Sequence, residues 1–193
     1  MTAHGLDSAF ASQAAFRAVM KCFARPGEIR TLDGVAAPAP MAPATAALIR
    51  SLADYETPIW LDPSLSGVPA IGEWIRFQTG APLVNGMRDA AFALIGNPSD
   101  LPEFSEFALG TEEYPDRSTT LIMQIERFAG YAITIEGPGI KTARRLAAEP
   151  LPDDFATRLT ANRELFPRGI DLVLVAGEQV MALPRSIRVS LEA

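Results

Sequence analysis

The sequence predicts an α/β fold: one domain over residues 1–193, with a mixed central sheet flanked by helices on both faces. Three observations lead there. The run Ile170-Asp171-Leu172-Val173-Leu174-Val175 is apolar at every position but one, the pattern of a strand buried on both faces. Stretches with helical apolar spacing alternate along the chain with short apolar runs. Finally, 193 residues suffice for one sizeable core, and no repeat, low-complexity tail or long linker divides them.

Taken in order, Phe16, Val19, Met20 and Phe23 recur at helical spacing, with Asp7 or Ser8 as a cap and Pro26-Gly27 as the stop. Residues 34–45 (GVAAPAPMAPAT) are too rich in proline for a regular element and predict an extended connection. A helix with Met41, Thr45, Leu48, Ile49 and Leu52 on one face follows, then a short buried strand at residues 57–61 (TPIWL). Residues 69–82 predict a helix stopped at Gly80, and residues 90–96 (AAFALIG) a buried strand. Residues 97–110 predict a short helix capped by Ser99 and closed by Gly110.

Residues 119–126 (TTLIMQIE) and 131–137 (YAITIEG) predict two strands joined by a turn at residues 127–130. In the second, Tyr131, Ile133 and Ile135 alternate with Ala132, Thr134 and Glu136, a half-buried antiparallel pattern. Residues 153–166 predict a helix with Phe155, Leu159 and Leu165 towards the core. It leads into the apolar run at residue 170, which pairs across a tight turn with residues 178–184 (EQVMALP).

Composition narrows function mainly by exclusion. Net charge is -6 and the pI about 4.9, so attraction to nucleic acid or anionic lipid is not expected. Cys22 is the only cysteine and His4 the only histidine. That excludes an internal disulfide, an iron–sulfur cluster and a His/Cys metal site, and leaves a Ser-His-Asp arrangement only a histidine near the terminus. No spaced acidic motif supports an oxygen-only magnesium or calcium site. No early stretch couples a basic start to a long apolar run, and none approaches the roughly 20 apolar residues that span a bilayer. A soluble, cytoplasmic protein is expected. The mean hydropathy of +0.13 and 48% apolar content are high for such a chain, and point to a buried subunit interface.

Two motifs come close to cofactor chemistry. GPGIKT (residues 137–142) follows a strand and precedes the helix-compatible ARRLAAE, the setting of a phosphate loop. But Ile140 stands where a Walker loop needs glycine, Thr142 where a dinucleotide loop needs its third, and Pro138 lacks an N–H, so a tight turn is the better reading. The only lysines are Lys21, within a helix, and Lys141, in that loop, which disfavours a pyridoxal phosphate Schiff base; no cofactor is expected. The acidic TEEYPD (residues 111–116) reads as a solvated loop. Arg76, Arg168, Asp171 and Arg185 remain, each near the end of a predicted element, where open α/β sheets tend to place ligands. They are equally suited to structural ion pairs or to an anion site, since arginine favours phosphate and carboxylate oxygens.

One series of segments is more specific. FRAVMKCFARPG (residues 16–27), DYETPIWL (54–61), RFQTGAPLV (76–84), GTEEYPDRSTTLIMQI (110–125), GPGI (137–140), FPRGIDLVLV (166–175) and LPRSIRV (183–189) occur in this order. The series resembles the PhnH family, the H subunits of the bacterial carbon–phosphorus lyase core complex, over nearly the whole chain. Gln78 departs from the family pattern, where histidine is common, so no role of that imidazole carries over. The resemblance implies a fold similar to pyridoxal phosphate-dependent transferases but without the cofactor. It also implies partners, the G, I and J subunits, and a homodimer when isolated. The implied role is as a non-catalytic or accessory subunit in alkylphosphonate catabolism. The complex makes alpha-D-ribose 1-methylphosphonate 5-triphosphate from a nucleoside triphosphate and methylphosphonate, and the later radical step belongs to another subunit. Within that frame, Arg168 and Asp171 are expected to shape a strand entrance kept for fold or assembly or, with Arg76 and Arg185 as companions, to assist in binding phosphonate or triphosphate. The alternative is an independent enzyme that acts on a phosphorylated substrate through arginine and carboxylate groups.

Overall fold

The computed structural model describes residues 3–191, with side chains from 10 to 190. The elements in chain order are α1 (Ala3–Ala24), β1 (Arg30–Thr31), α2 (Pro43–Leu52), β2 (Ile59–Leu61), α3 (Pro63–Ser66), α4 (Pro69–Thr79), β3 (Phe92–Ile95), β4 (Thr120–Gln124), β5 (Arg127–Glu136), β6 (Arg144–Glu149), α5 (Phe155–Glu164), β7 (Asp171–Ala176), β8 (Gln179–Leu183) and β9 (Arg188–Leu191). Six strands form the central sheet in the order β1-β8-β7-β4-β3-β2. The four strands β2, β3, β4 and β7 are parallel, whereas β8 returns antiparallel on β7 and β1 closes that edge. Phe92 lies opposite Thr120 and Thr120 opposite Asp171, so β3, β4 and β7 begin side by side. The sheet is therefore mixed, as the apolar runs predict.

Its two faces are covered differently. Ile122, Val173, Val175 and Val180 pack against Ala15, Val19 and Cys22 of α1, Leu48 and Ile49 of α2 and Ile71 and Ile75 of α4. Leu121, Met123, Leu172 and Leu174 pack against Phe155 and Leu159 of α5, and against Ile133, Ile135, Leu146 and Ala148 of a second, antiparallel sheet in the order β6-β5-β9. Helices thus lie on both faces, as expected, but on one of them the single helix α5 shares the cover with a second sheet that the sequence reading did not foresee. Full burial of each large aliphatic or aromatic side chain here contributes about 1.5–3 kcal/mol.

Other elements differ from the sequence reading for local reasons. The strands at residues 119–126 and 131–137 are not a hairpin. β4 is buried on both faces and joins the central sheet, whereas half-buried β5 starts at Arg127, inside the predicted turn, and joins the second. The helix-compatible ARRLAAE becomes β6, because β5 pairs it from Arg127 opposite Glu149 to Ile135 opposite Arg144. Residues 97–110 hold two 3-10 turns, Pro98–Asp100 and Phe104–Glu106, with Pro102 between them. Asn97, not Ser99, caps the first, accepting from the Ser99 N–H at 3.3 Å.

α1 runs through Asp7 and Ser8, so neither stands at its start. Its buried stripe is Ala15, Val19 and Cys22, while Phe16 and Met20 are 46% and 49% exposed; the small residues let α1 lie close to the alanine-rich α2. Pro43, placed by the sequence in an extended stretch, is instead the first residue of α2, where its missing N–H costs nothing.

Candidate functional site

The buried polar side chains mostly hold backbone. Asp62 accepts from the N–H groups of Leu65, Gly96 and Asn97 and from the Ser64 hydroxyl, tying the end of β2 to the end of β3. Gln124 accepts from the Ala42 N–H at 2.7 Å and donates to the Pro40 carbonyl at 3.0 Å. The Thr119 hydroxyl donates to the Ala90 carbonyl and accepts from the Ala108 N–H. Asn162 donates to the Ile170 carbonyl and accepts from the Ile170 N–H, each at 2.9 Å. That last clamp explains the glycine beside Arg168. Gly169 has a φ of 117°, and a Cβ there would sit 2.6 Å from the Asn162 side-chain oxygen.

Two of the four sequence candidates meet. Arg185 and Asp171 form a bidentate pair, Nη2 to Oδ2 at 2.5 Å and Nε to Oδ1 at 3.2 Å, and Oδ1 also accepts from the Arg185 backbone N–H. The remaining guanidinium donors go to the Pro115 carbonyl at 2.7 Å, the Pro167 carbonyl at 3.4 Å and the Ser118 hydroxyl at 2.6 Å. All five donors of Arg185 are engaged. The pair braces the start of β7 against the loop at residues 109–118, whose ends are joined by a bridge between Leu109 and Ser118. Gly110, at a φ of 71°, lets that loop turn back, since a Cβ there would lie 2.8 Å from the Pro115 carbonyl oxygen.

Arg168 and Arg76 lie apart from that pair and from each other. Arg76 is exposed on α4 and lines a groove of about 590 Å3 with Trp60, Leu61, Ser66 and Asn85, along the β2 edge. Arg168 lines a separate cleft of about 410 Å3 together with Arg88 and Arg117. Sequence reasoning missed those two. The signal was present: Arg88, Arg117 and Arg168 stand three or four residues ahead of β3, β4 and β7, three neighbouring strands that start in step. The Arg88 Nη2 donates to the Ser105 carbonyl at 3.2 Å, and the Arg117 guanidinium lies 4.2 Å from the centre of the Tyr114 ring.

The other motifs are quieter. GPGIKT is the turn between β5 and β6, closed by the Ile140 N–H on the Gly137 carbonyl at 3.1 Å. Lys141 is exposed in it, and Lys21 is exposed on α1. In TEEYPD, Tyr114 donates its N–H to the Thr111 hydroxyl at 2.9 Å, and Glu112, Glu113 and Asp116 are exposed. Cys22 is buried, and desolvation pushes its thiol up to about 11 against the opposing pull of Arg30. Among the described residues, no three His, Cys, Asp or Glu side chains are grouped to hold a metal ion, and no helix is long and apolar enough to cross a membrane.

Comparison with known proteins adds three findings. Residues 5–190 match the family model described as bacterial phosphonate metabolism protein (PhnH). The subunit PhnH of alpha-D-ribose 1-methylphosphonate 5-triphosphate synthase from Rhizobium meliloti (strain 1021) is 46% identical over 188 residues, which is 96% of this chain and 94% of that protein. A putative C-P lyase subunit protein, HtxG of Stutzerimonas stutzeri, is 32% identical over 85 residues, 44% of each chain.

Proposed function

The chain belongs to the PhnH family of bacterial phosphonate metabolism proteins, and on that premise we propose that it is a subunit of the carbon–phosphorus lyase core complex. There it takes part in alkylphosphonate catabolism, in making alpha-D-ribose 1-methylphosphonate 5-triphosphate from a nucleoside triphosphate and methylphosphonate. The observation that carries this reading is the 46% identity, across nearly the full length of both chains, to a synthase subunit. The role of the chain within the assembly is accessory. Its buried Asp62, Thr119, Gln124 and Asn162 are engaged in holding backbone, which supports a part in architecture and binding rather than in bond making.

Several finer statements belong to the same proposal. The chain is one domain, with a fold akin to the pyridoxal phosphate-dependent transferases but without the cofactor. It works in the cytoplasm, pairs with itself when isolated and assembles with the G, I and J subunits. Phe10, Phe16 and Met20 on α1, and Tyr55 and Phe77 around α4, are exposed apolar groups of the kind that subunit contacts cover. Of the four candidate side chains, Arg76 and Arg168 have donors to offer a phosphorylated ligand, whereas Asp171 and Arg185 act as the brace behind Arg168.

The test is a tagged pull-down from the native bacterium grown on methylphosphonate as sole phosphorus source, read by native mass spectrometry. Recovery in a stoichiometric complex with the other lyase subunits is the expected result. Recovery only as a free chain or homodimer, under conditions that preserve a known complex, overturns it.

A further inference from the structure

We infer that the cleft between Arg88, Arg117 and Arg168 is a binding site for a phosphoryl or phosphonyl oxyanion. Topology brings the three side chains together. Each arginine belongs to a different segment feeding a different strand, and the strands are neighbours, about 4.8 Å apart. Three cations drawn from residues 88, 117 and 168 are thereby set around one cavity of about 410 Å3. No carboxylate lines that cavity among the described residues, and Asp171, the acid nearest in sequence to Arg168, is engaged by Arg185. Like charges gathered without a counterion repel one another, and a bound anion relieves that repulsion.

Two of the guanidinium groups have an anchor, and all three still have donors to give. Arg88 donates one bond to the Ser105 carbonyl and Arg117 lies over the Tyr114 ring, both on the exposed rim of the cleft. Each arginine carries five donors, and most of those of Arg88 remain open. The side chain of Arg168 has no hydrogen-bond or ion-pair partner among the described residues. Phe107, 1% exposed and set edge-on against Trp60, gives the cleft an apolar floor.

The donor count sets the ligand class. Three guanidinium groups suit an anion with three or more acceptor oxygens and more than one charge, which describes phosphate, phosphonate and polyphosphate and not a single carboxylate. The site stands on its own geometry; only the choice between phosphoryl and phosphonyl probes rests on the proposed function.

The experiment is calorimetric titration of the full chain at low ionic strength with inorganic triphosphate, with methylphosphonate and with succinate as a dicarboxylate control. Saturable binding of either phosphorus anion, with weaker or no binding of succinate, is expected. The tighter of the two identifies whether the occupant is a phosphate chain or a phosphonate. Arg168→Ala and Arg117→Ala should each lower the affinity by about tenfold or more, whereas Lys141→Ala, at a different cleft, leaves it unchanged. Circular dichroism checks folding. Should an alanine variant not fold, Arg168→Lys, which keeps the charge but loses the planar fork, should still weaken binding. Absence of binding, equal binding of succinate, or equal losses in Arg168→Ala and Lys141→Ala overturn the inference. Because this titration uses the chain alone, its failure leaves the pull-down untouched, and the reverse holds as well.

Discussion

Arg185 and Arg168 flank the same strand end in opposite states. The Arg185 side chain is 12% exposed, and its donors are taken by a carboxylate, two carbonyls and a hydroxyl. Arg168 lies over a cleft shared with two further arginines and uses only its backbone N–H, on the Leu165 carbonyl at 3.0 Å. An arginine with every donor engaged holds the protein together; one with its donors open is suited to something that arrives and leaves. Residue type cannot separate the two roles, and the count of partners can.

Mutagenesis breaks or sharpens that contrast. Asp171→Ala leaves a guanidinium largely buried without its carboxylate, and should cost about 3 kcal/mol in urea unfolding. A cost below about 1 kcal/mol would remove the brace from the comparison. Gly169→Ala combines an unfavourable φ with a collision on Asn162, and a loss of about 2 kcal/mol is expected. The double variant Gly169→Ala with Asn162→Ala should show strong non-additivity, because the two positions touch.

Arg30 supplies a third setting: it is held by Glu28 at 3.0 Å and acts on Cys22 only as a nearby charge. The folded thiol has a raised pKa, so its contribution to stability is complete below the ordinary value near 9 and is lost as pH rises towards about 11. At pH 10 that loss is about 1–2 kcal/mol, and Cys22→Ala should flatten the alkaline limb of the stability curve by this amount. The smallest effect belongs to Arg168→Ala, expected to stay within about 0.5 kcal/mol of the parent in stability. A cost comparable to that of Asp171→Ala would abolish the distinction.

Much of the fold was legible because burial writes itself into sequence. The six residues of β7 sit in an apolar run, and the alternation of Ile133 and Ile135 with Thr134 and Glu136 marked β5 as half-buried. What was not legible is which sheet a strand joins. Ile125 and Glu126 are all that separates β4 from β5, and nothing local says that the chain changes sheets there. ARRLAAE was misread for a related reason, since its helical propensity yields to the ladder that β5 offers. At the candidate site, Arg168 was found from its place at a strand entrance. Arg88 and Arg117 were missed because their common feature appears only once β3, β4 and β7 are known to be neighbours in register.

The taper of the central sheet has a consequence for how this apolar chain can meet other copies of itself. Its middle strands are five and six residues long, but the outermost, β1 and β2, have two and three, and part of the β2 edge is already occupied by residues around Leu83. β6, the longer edge of the second sheet, carries Arg144, Arg145 and Glu149. A stray strand from another molecule finds little free ladder to extend and charge where the ladder is longest, which is how natural sheets resist edge-to-edge aggregation. What remains open to other chains is side-chain surface, and that can be chosen by shape and charge.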